Sequence, residues 1–392
     1  MLKLSRPSVC AAVLALFVAA GPASCARHAA PAAAPAPPPA PVAAPAPPAP
    51  PPAPAPVAAT LPDHLSDAEF WKLLTDLSEP GGQFRSDNLL SNEVWLQYVI
   101  PELLNAAKPG RVYMGVGPEQ NFTYIAALKP AMAFIVDIRR GNLHLHLMYK
   151  ALFEMSKDRA DFVSRLFSRK RPEGLTAASG VREIFQAYST AAPDDKYFEE
   201  NFKAIVDHLQ KAHGFALEAE DAPGIRYIYE YFGRYGPELT YWMSGGGGGR
   251  GGFRNSPTYA DLMVGTDGAG VLRGYLASEE SFQTLKTLET KNLLVPVVGN
   301  FAGPKAVRAV GAWLKAHNGI VSAFYLSNVE QYLNMDGIWM DFCANSSRLP
   351  VDETSQFIRS YRGGGGPGFG GGASLNQGLS PMAVDLKICA GQ

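Results

Sequence analysis

Cysteine is scarce in this sequence of 392 residues, which contains four, at positions 10, 25, 343 and 389. None of them has the close spacing of a zinc-binding motif, and so few do not make the disulfide framework of a small secreted domain. Cys343 and Cys389 are the two that lie beyond the N-terminal segment. In an oxidising compartment they would form a bridge, and otherwise they would be two buried thiols. The sequence leaves both alternatives open.

The chain also lacks an excess of charge of either sign. It has 35 basic and 36 acidic residues, giving a formal net charge of -1, and its longest basic run is Arg169-Lys170-Arg171. A nucleic-acid interface needs clustered positive charge. Nucleic acid is therefore not an expected partner.

Signatures of catalytic nucleophiles and metal sites are missing too. The sequence has no Gly-x-Ser-x-Gly elbow, no His-Glu-x-x-His motif and no cysteine with a matching histidine signature, so hydrolase chemistry is not predicted. His144 and His146 are two residues apart on a predicted helix. They would face different directions and could not bind one ion together. We therefore predict no metal site, and no residue is predicted to be catalytic.

The N-terminal residues have the pattern of an export signal. Lys3 and Arg6 precede an apolar run over 9–20, which is too short for a membrane-spanning helix. We predict a signal peptide over 1–25 and an exported protein of the periplasm or outer envelope. Cys25 follows Ala23-Ser24 as in a lipoprotein processing site, which would attach the protein to a membrane through a lipid. Pro22 departs from that pattern, and the alternative is secretion with cleavage near Ala26.

The next segment, 26–60, is almost wholly alanine and proline. This composition cannot bury a core and favours an extended chain, so we predict a disordered linker before a folded domain over 61–392. Two glycine-rich runs interrupt that domain, at 244–252 and 363–372. Because neither run has the lysine and hydroxyl residue of a phosphate-binding loop, both are predicted to be surface loops.

The most informative stretch is 111–142, which has the pattern of a β-α-β unit. A strand at Val112–Met114 leads into the glycine turn Gly115-Val116-Gly117, a helical segment follows, and a second strand over 132–136 ends at Asp137. Glycines permit the unusual backbone angles of such a turn and let a ligand approach the chain closely. An acidic residue about twenty positions later is where ribose hydroxyls are bound. The stretch predicts a doubly wound, Rossmann-like α/β fold.

The turn Gly115-x-Gly117 with Asp137 resembles the cofactor motif of class I S-adenosylmethionine-dependent methyltransferases. The runs GPEQNFTYIAAL and FIVDIRR also resemble an uncharacterised bacterial family with a methyltransferase-like fold. The chain departs from the methyltransferase pattern at Tyr113, where an acidic residue is usual. The resemblance implies S-adenosylmethionine as cofactor and the following cofactor-binding residues: Gly115, Gly117, Glu119, Asn121, Asp137 and Arg139.

Further elements of this fold are predicted around the unit. Segments 67–78 and 91–107 have helical spacing and would be lead-in helices, and the largely helical pattern of 157–240 predicts an inserted helical region. Strand patterns at 293–298 and 320–326 flank a helix and supply two more α/β units.

Polar residues follow these later strands, namely Asn300, Asn328 and Glu330. In a doubly wound sheet, ligands bind beyond the carboxyl ends of the strands. These three are therefore the predicted substrate-binding residues, on the same edge as Gly115 and Asp137.

Two functions follow from these observations. The first is an exported, envelope-associated binding module that keeps a methyltransferase-like fold. The second is an S-adenosylmethionine-dependent methyltransferase of unknown acceptor, since methyl transfer needs little beyond binding and alignment. Export favours the first, because S-adenosylmethionine is made and used in the cytoplasm.

Overall fold

A computed structural model describes residues 60–244, 256–362 and 375–389. The predicted signal peptide with Cys25, the Ala/Pro linker and nearly all of the two glycine-rich runs lie outside the described residues. Among the helices within them, none combines the length and the apolar character that a membrane span requires.

The described residues include six strands that form one sheet in the order β3-β2-β1-β4-β5-β6. Strands β1 to β5 are parallel to their neighbours, and β6 is antiparallel to β5. The strands are β1 (Val112–Gly115), β2 (Met132–Asp137), β3 (Leu294–Val298), β4 (Val321–Ser327), β5 (Gln356–Arg362) and β6 (Leu375–Pro381). The fold is therefore mixed α/β with a mostly parallel sheet.

Fourteen α-helices surround the sheet within the described residues. They are α1 (Asp67–Leu77), α2 (Ile100–Ala106), α3 (Gln120–Leu128), α4 (Arg140–Met155), α5 (Arg159–Leu166), α6 (Val181–Thr190), α7 (Asp195–Asp207), α8 (Asp221–Tyr235), α9 (Tyr259–Val264), α10 (Glu279–Thr290), α11 (Ala306–Ala316), α12 (Val329–Met335), α13 (Trp339–Ser346) and α14 (Met382–Cys389). A π-helix, His208–Ala212, continues α7. Between β2 and β3, the described residues include α4 to α10 and no strand of the sheet.

The central strands are short apolar runs that are buried at every position in β1, β2 and β3. Burial on both faces is the usual situation of parallel strands covered by helices. Val112 pairs with Met132 on one side and with Val321 on the other, so β1 lies between β2 and β4. Parallel pairing brings the carboxyl ends of β1 to β5 to one edge of the sheet, which we call the strand-end edge.

Helix starts follow local chemistry. Ser66 caps α1, and its backbone and hydroxyl both pair with Glu69 in a capping box. The predicted helix over 91–107 is wrong in its first half, because α2 begins only at Ile100. Pro101 stands in the first turn of α2, where its missing N–H costs nothing.

The C-terminal part contains two features that the sequence leaves open or unpredicted. Strands β5 and β6 pair from Gln356 with Pro381 to Arg362 with Leu375, and neither is predicted. Cys343 in α13 and Cys389 in α14 form a disulfide. The bridge decides between the two alternatives for this pair and ties the last helix to the domain.

Candidate functional site

A cleft opens at the strand-end edge, beyond β1 to β4. Its larger part is a cavity of about 250 Å³ lined by residues that follow β2, β3 and β4. A smaller cavity of about 90 Å³ lies next to Gly117. The two share the walls Phe84, Asn88, Val116, Asp137, Val329 and Tyr332. They are therefore adjoining parts of one cleft.

The segment between α1 and α2 covers this cleft. The amide of Glu79 donates to Val298 O at the end of β3 (2.7 Å), and the amide of Gly82 donates to Ile138 O just after β2 (2.7 Å). Further along, the Phe84 ring packs edge-on against Tyr332 at 5.1 Å, and the Arg85 guanidinium lies 4.8 Å from the same ring. This segment supplies four residues that line the larger cavity and that the sequence did not predict, namely Gln83, Phe84, Arg85 and Asn88.

The glycine turn after β1 is held by the protein itself. A Cβ on Gly115 would lie 1.9 Å from Asn121 Oδ1, and Gly117 has a φ of +80°, so both positions require glycine. The Asn121 amide donates to the carbonyls of Val116 (2.9 Å), Gly117 (3.2 Å) and Pro118 (2.8 Å). Its Oδ1 accepts the Tyr113 hydroxyl at 2.9 Å.

Asn121 is therefore a structural brace of the turn, and the structure does not place it at the cleft, where a cofactor ligand is predicted to lie. It is fully buried and does not line either cavity. Tyr113, which stands where methyltransferases usually have an acid, completes this brace. The departure in sequence thus has a structural reason.

Glu119 is also buried behind the turn and does not line the cleft. Its Oε1 accepts from the Ser91 amide at 3.0 Å, and its Oε2 has no hydrogen-bond partner among the described residues. Burial raises the pKa of Glu119 to about 7. The structure therefore does not place this predicted cofactor ligand at the cleft either.

His146 in α4 supports the turn from the same side. Its Nε2 lies 2.9 Å from Gly117 O, which can only accept, so Nε2 carries the hydrogen. Burial lowers the pKa of His146 to about 4. His144 instead pairs with Asp221 at 2.7 Å, so the two histidines do face different partners.

Asp137 lines both cavities at the end of β2. Arg139 donates to its carboxylate three times, from the backbone amide (2.9 Å), from Nε (2.9 Å) and from Nη2 (2.7 Å). An ionised carboxylate accepts about four hydrogen bonds. One acceptor position of Asp137 therefore remains for a ligand hydroxyl.

Arg139 links this strand end to the cover of the cleft. Its Nη1 donates to the carbonyl of Ser86 at 3.3 Å and also to that of Asp87. Both Arg139 and Asp137 are buried, at 8% and 4% exposure. Arg139 lines the larger cavity, and four of its five guanidinium N–H groups donate to Asp137, Ser86 and Asp87. It therefore positions Asp137 and the cover.

The three predicted substrate residues are placed differently. Asn300 lines the larger cavity, and its Oδ1 accepts the Ala302 amide at 2.9 Å while its amide nitrogen is not used in that bond. Asn328 lines the smaller cavity and forms no side-chain cap with α12. Glu330 lines neither cavity and pairs with Arg359 of β5 at 3.1 Å, so the structure does not bring it together with the other two. It is one position beyond Val329, which turns it about 100° around the helix from the cleft.

Glu93 is a buried carboxyl at the back of the smaller cavity. Its Oε1 accepts the hydroxyls of Ser327 and Ser360, both at 2.6 Å, and its Oε2 accepts from Gln377 at 3.1 Å. Burial raises the pKa of Glu93, and these hydrogen bonds oppose the rise. Sequence reasoning missed this residue, because its hydrogen-bond partners are more than two hundred positions away.

Comparison with curated protein sequences finds no match for this chain. Residues 89–230 and 255–373 match the family described as "Domain of unknown function (DUF7790)". The matched segments cover more than half of the chain and include β1 to β5, the glycine turn and Asp137. The chain therefore belongs to the DUF7790 family.

Proposed function

We propose that this is an exported, envelope-associated binding module whose Rossmann-like, methyltransferase-like domain holds a small nucleoside-containing ligand at the strand-end edge. The strand order supports this fold. The first strand, β1, lies inside the sheet, β2 and β3 follow on one side of it, and β4 pairs with β1 on the other side. Right-handed crossovers would then put α3 and α4 on one face and α11 on the other. In such sheets, ligands bind where the strand order reverses.

One observation carries the proposal: the two cavities meet at Asp137. The larger one is walled by the aromatic rings of Phe84, Phe301 and Tyr332, which suits a planar base. The remaining acceptor position of Asp137 suits a ribose hydroxyl. The smaller cavity beside Gly117 suits a polar tail. Together the cavities reach the lower end of the volumes usual for small-molecule sites, about 300–1,000 Å³.

Binding without catalysis is the better-supported version of this function. S-adenosylmethionine is a cytoplasmic metabolite, and the Cys343–Cys389 disulfide favours an oxidising compartment. The second candidate, an S-adenosylmethionine-dependent methyltransferase, is favoured by Glu93, whose buried carboxyl lies on the smaller cavity. A carboxyl in that position could accept a proton from a methyl acceptor.

Titration calorimetry of the protein with S-adenosylmethionine, its demethylated product and adenosine tests the proposal. We expect at least one of them to bind, and Tyr332→Ala to weaken that binding by roughly tenfold or more, because base stacking on an aromatic ring contributes about 1–3 kcal/mol. Tyr361→Ala is the matched control, since Tyr361 is an exposed tyrosine of β5, and it should leave the affinity unchanged.

The results separate the two candidates. Binding with no transfer of a labelled methyl group to envelope extracts would support the binding module. Transfer that is lost in Glu93→Gln while affinity is kept would support the enzyme. If none of the three ligands binds at millimolar concentration, the proposed nucleoside site is wrong.

The mass of the mature protein tests export and the disulfide together. We expect the protein isolated from its source cells to begin at Cys25 with a lipid, or near Ala26 without one, and to gain about two hydrogen masses on reduction as Cys343 and Cys389 open. A mass that includes residues 1–24 would contradict export. Unchanged mass on reduction would show that the two thiols are free.

A further inference from the structure

Three side chains with metal-binding atoms meet at the end of α4. Glu154 Oε2 lies 2.6 Å from Nε2 of His208 and 2.6 Å from Nε2 of His213. The three donor atoms all lie within 4.8 Å of one another. The sequence did not predict this cluster, because more than fifty residues separate Glu154 from the histidines.

The π-helix is what brings the two histidines together. In an α-helix with 3.6 residues per turn, residues five apart would point about 140° away from each other. The amide of His213 instead donates to His208 O at 3.1 Å, the i to i+5 bond of a π-turn. The two rings consequently lie 4.8 Å apart, at an angle of 89°. Single π-turns occur often at functional sites.

Asp67 orients one of these rings from the other side. Its Oδ1 lies 2.6 Å from His213 Nδ1 and also accepts from the Asn292 amide at 2.9 Å. Nε2 of His213 lies 2.6 Å from a carboxylate oxygen of Glu154, so without an ion it donates a hydrogen to that oxygen. A bound ion would replace this hydrogen on Nε2, while Nδ1 would still donate to Asp67. Histidines that bind metals usually donate their other ring N–H to a carboxylate in this way.

The charged groups around the cluster leave one oxygen of Glu154 for a cation. Lys150 Nζ lies 2.8 Å from Glu154 Oε1 and donates to Glu289 O at 2.6 Å, so it occupies the other carboxylate oxygen and leaves Oε2 facing the rings. Lys286 also donates to the backbone carbonyl of Glu154, at 3.2 Å, so two ammonium groups lie beside the two carboxylates of Glu154 and Asp67. His208 is partly exposed, with 24% of its side chain accessible, so water can reach the cluster.

We propose that Glu154, His208 and His213 bind a divalent transition-metal ion, with Zn²⁺ as the best match, and that Asp67 is a positioning residue for His213. Two histidines, one carboxylate and a water make a common four-coordinate zinc site. Zinc bonds of about 2.0–2.1 Å in a tetrahedron require donor atoms about 3.3 Å apart. The ring nitrogens would therefore move off Oε2 by less than about 1 Å.

The proposed site is a clamp, separate from the cleft. Helix α4 begins after β2 at the strand-end edge and runs for 16 residues, roughly 24 Å, toward the other edge. Glu154 lies at its far end, and the ion would join α1, α4 and the π-helix. If the protein bound no metal ion at this cluster, the proposal of a nucleoside site in the cleft would be unaffected.

The test uses protein without a histidine tag, stripped with a chelator and dialysed. We expect it to bind about one Zn²⁺ per chain, to melt at a higher temperature with Zn²⁺, and to give a visible Co²⁺ spectrum of a four-coordinate site. His208→Gln and His213→Gln should abolish the Co²⁺ bands, and Asp67→Asn should weaken Zn²⁺ binding by about 10–100-fold. His317→Gln, a half-buried histidine of the loop after α11, is the matched control and should behave as wild type.

Failure of the folded wild-type protein to take up Zn²⁺ at neutral pH would overturn the proposal. So would equal uptake by wild type and by His208→Gln, checked by circular dichroism to be folded. The wild-type titration decides even if the variants do not fold. A cluster that is only a set of ion pairs would show no shift in melting temperature with either Zn²⁺ or chelator.

Discussion

Replacing Arg139 by alanine should lower the free energy of unfolding by about 3–5 kcal/mol, the usual cost of removing one partner from a buried ion pair. The guanidinium donates to both oxygens of Asp137, at 2.9 and 2.7 Å. Without it, the buried carboxylate keeps the one backbone hydrogen bond from residue 139. The carbonyls of Ser86 and Asp87 lose their donor as well. Urea unfolding measures the loss.

Two further variants make this expectation specific. Arg182→Ala removes an exposed arginine of α6 and should cost less than about 0.5 kcal/mol. Arg139→Ala combined with Asp137→Ala should cost less than the sum of the two single changes, because the second removes the charge that the first leaves unpaired. If Arg139→Ala lowered the free energy of unfolding as little as Arg182→Ala does, the ion pair between Arg139 and Asp137 would not stabilise the cleft.

The central strands could be predicted from the sequence because each is a short apolar run that ends at a turn. This is why β1 to β4 lie within a residue or two of their predicted positions. Strand β5 was not predicted, because Gln356–Arg362 has neither a continuous apolar run nor a strict alternation of polar and apolar residues. Its pairing with β6, which lies beyond a glycine-rich run, is not visible in the local pattern. The start of α2 was predicted too early, because apolar residues have helical spacing on both sides of Pro101. The proline instead stands in the first turn of the helix.

The candidate site was predicted only where topology decides the position. Asp137, Asn300 and Asn328 do line the cleft, because each follows a strand that ends at the same edge. Glu119 and Asn121 do not line the cleft, since closeness in sequence to a glycine turn does not determine which side of the turn a side chain faces. Phe84 and Glu93 were not predicted, because they reach the cleft through contacts with residues far along the chain.

The glycine turn should be sensitive to pH through Glu119. Burial raises the pKa of this carboxyl from its ordinary value of 4.5 to about 7 in the folded protein. Between these values the folded state keeps a proton that the unfolded chain has released, so stability falls as the pH rises from 4.5 to 7. A shift of this size corresponds to about 3 kcal/mol. Below the lower value, both states are protonated and the penalty disappears.

Glu119→Gln should remove this dependence, because an amide keeps the oxygen that accepts from Ser91 and cannot ionise. We expect the variant to be more stable than wild type by about 3 kcal/mol at pH 8 and equal to it near pH 4, as measured by urea unfolding across that range. Comparing the two proteins at each pH cancels the titration of Glu289 and His146, whose pKa values burial also shifts. Glu173→Gln, at an exposed position after α5, is the matched control and should track wild type. If the free energies of unfolding of Glu119→Gln and wild type changed in parallel with pH, the prediction would be wrong. Glu119 would then be ionised in the folded protein, and a charged carboxylate would lie behind the glycine turn.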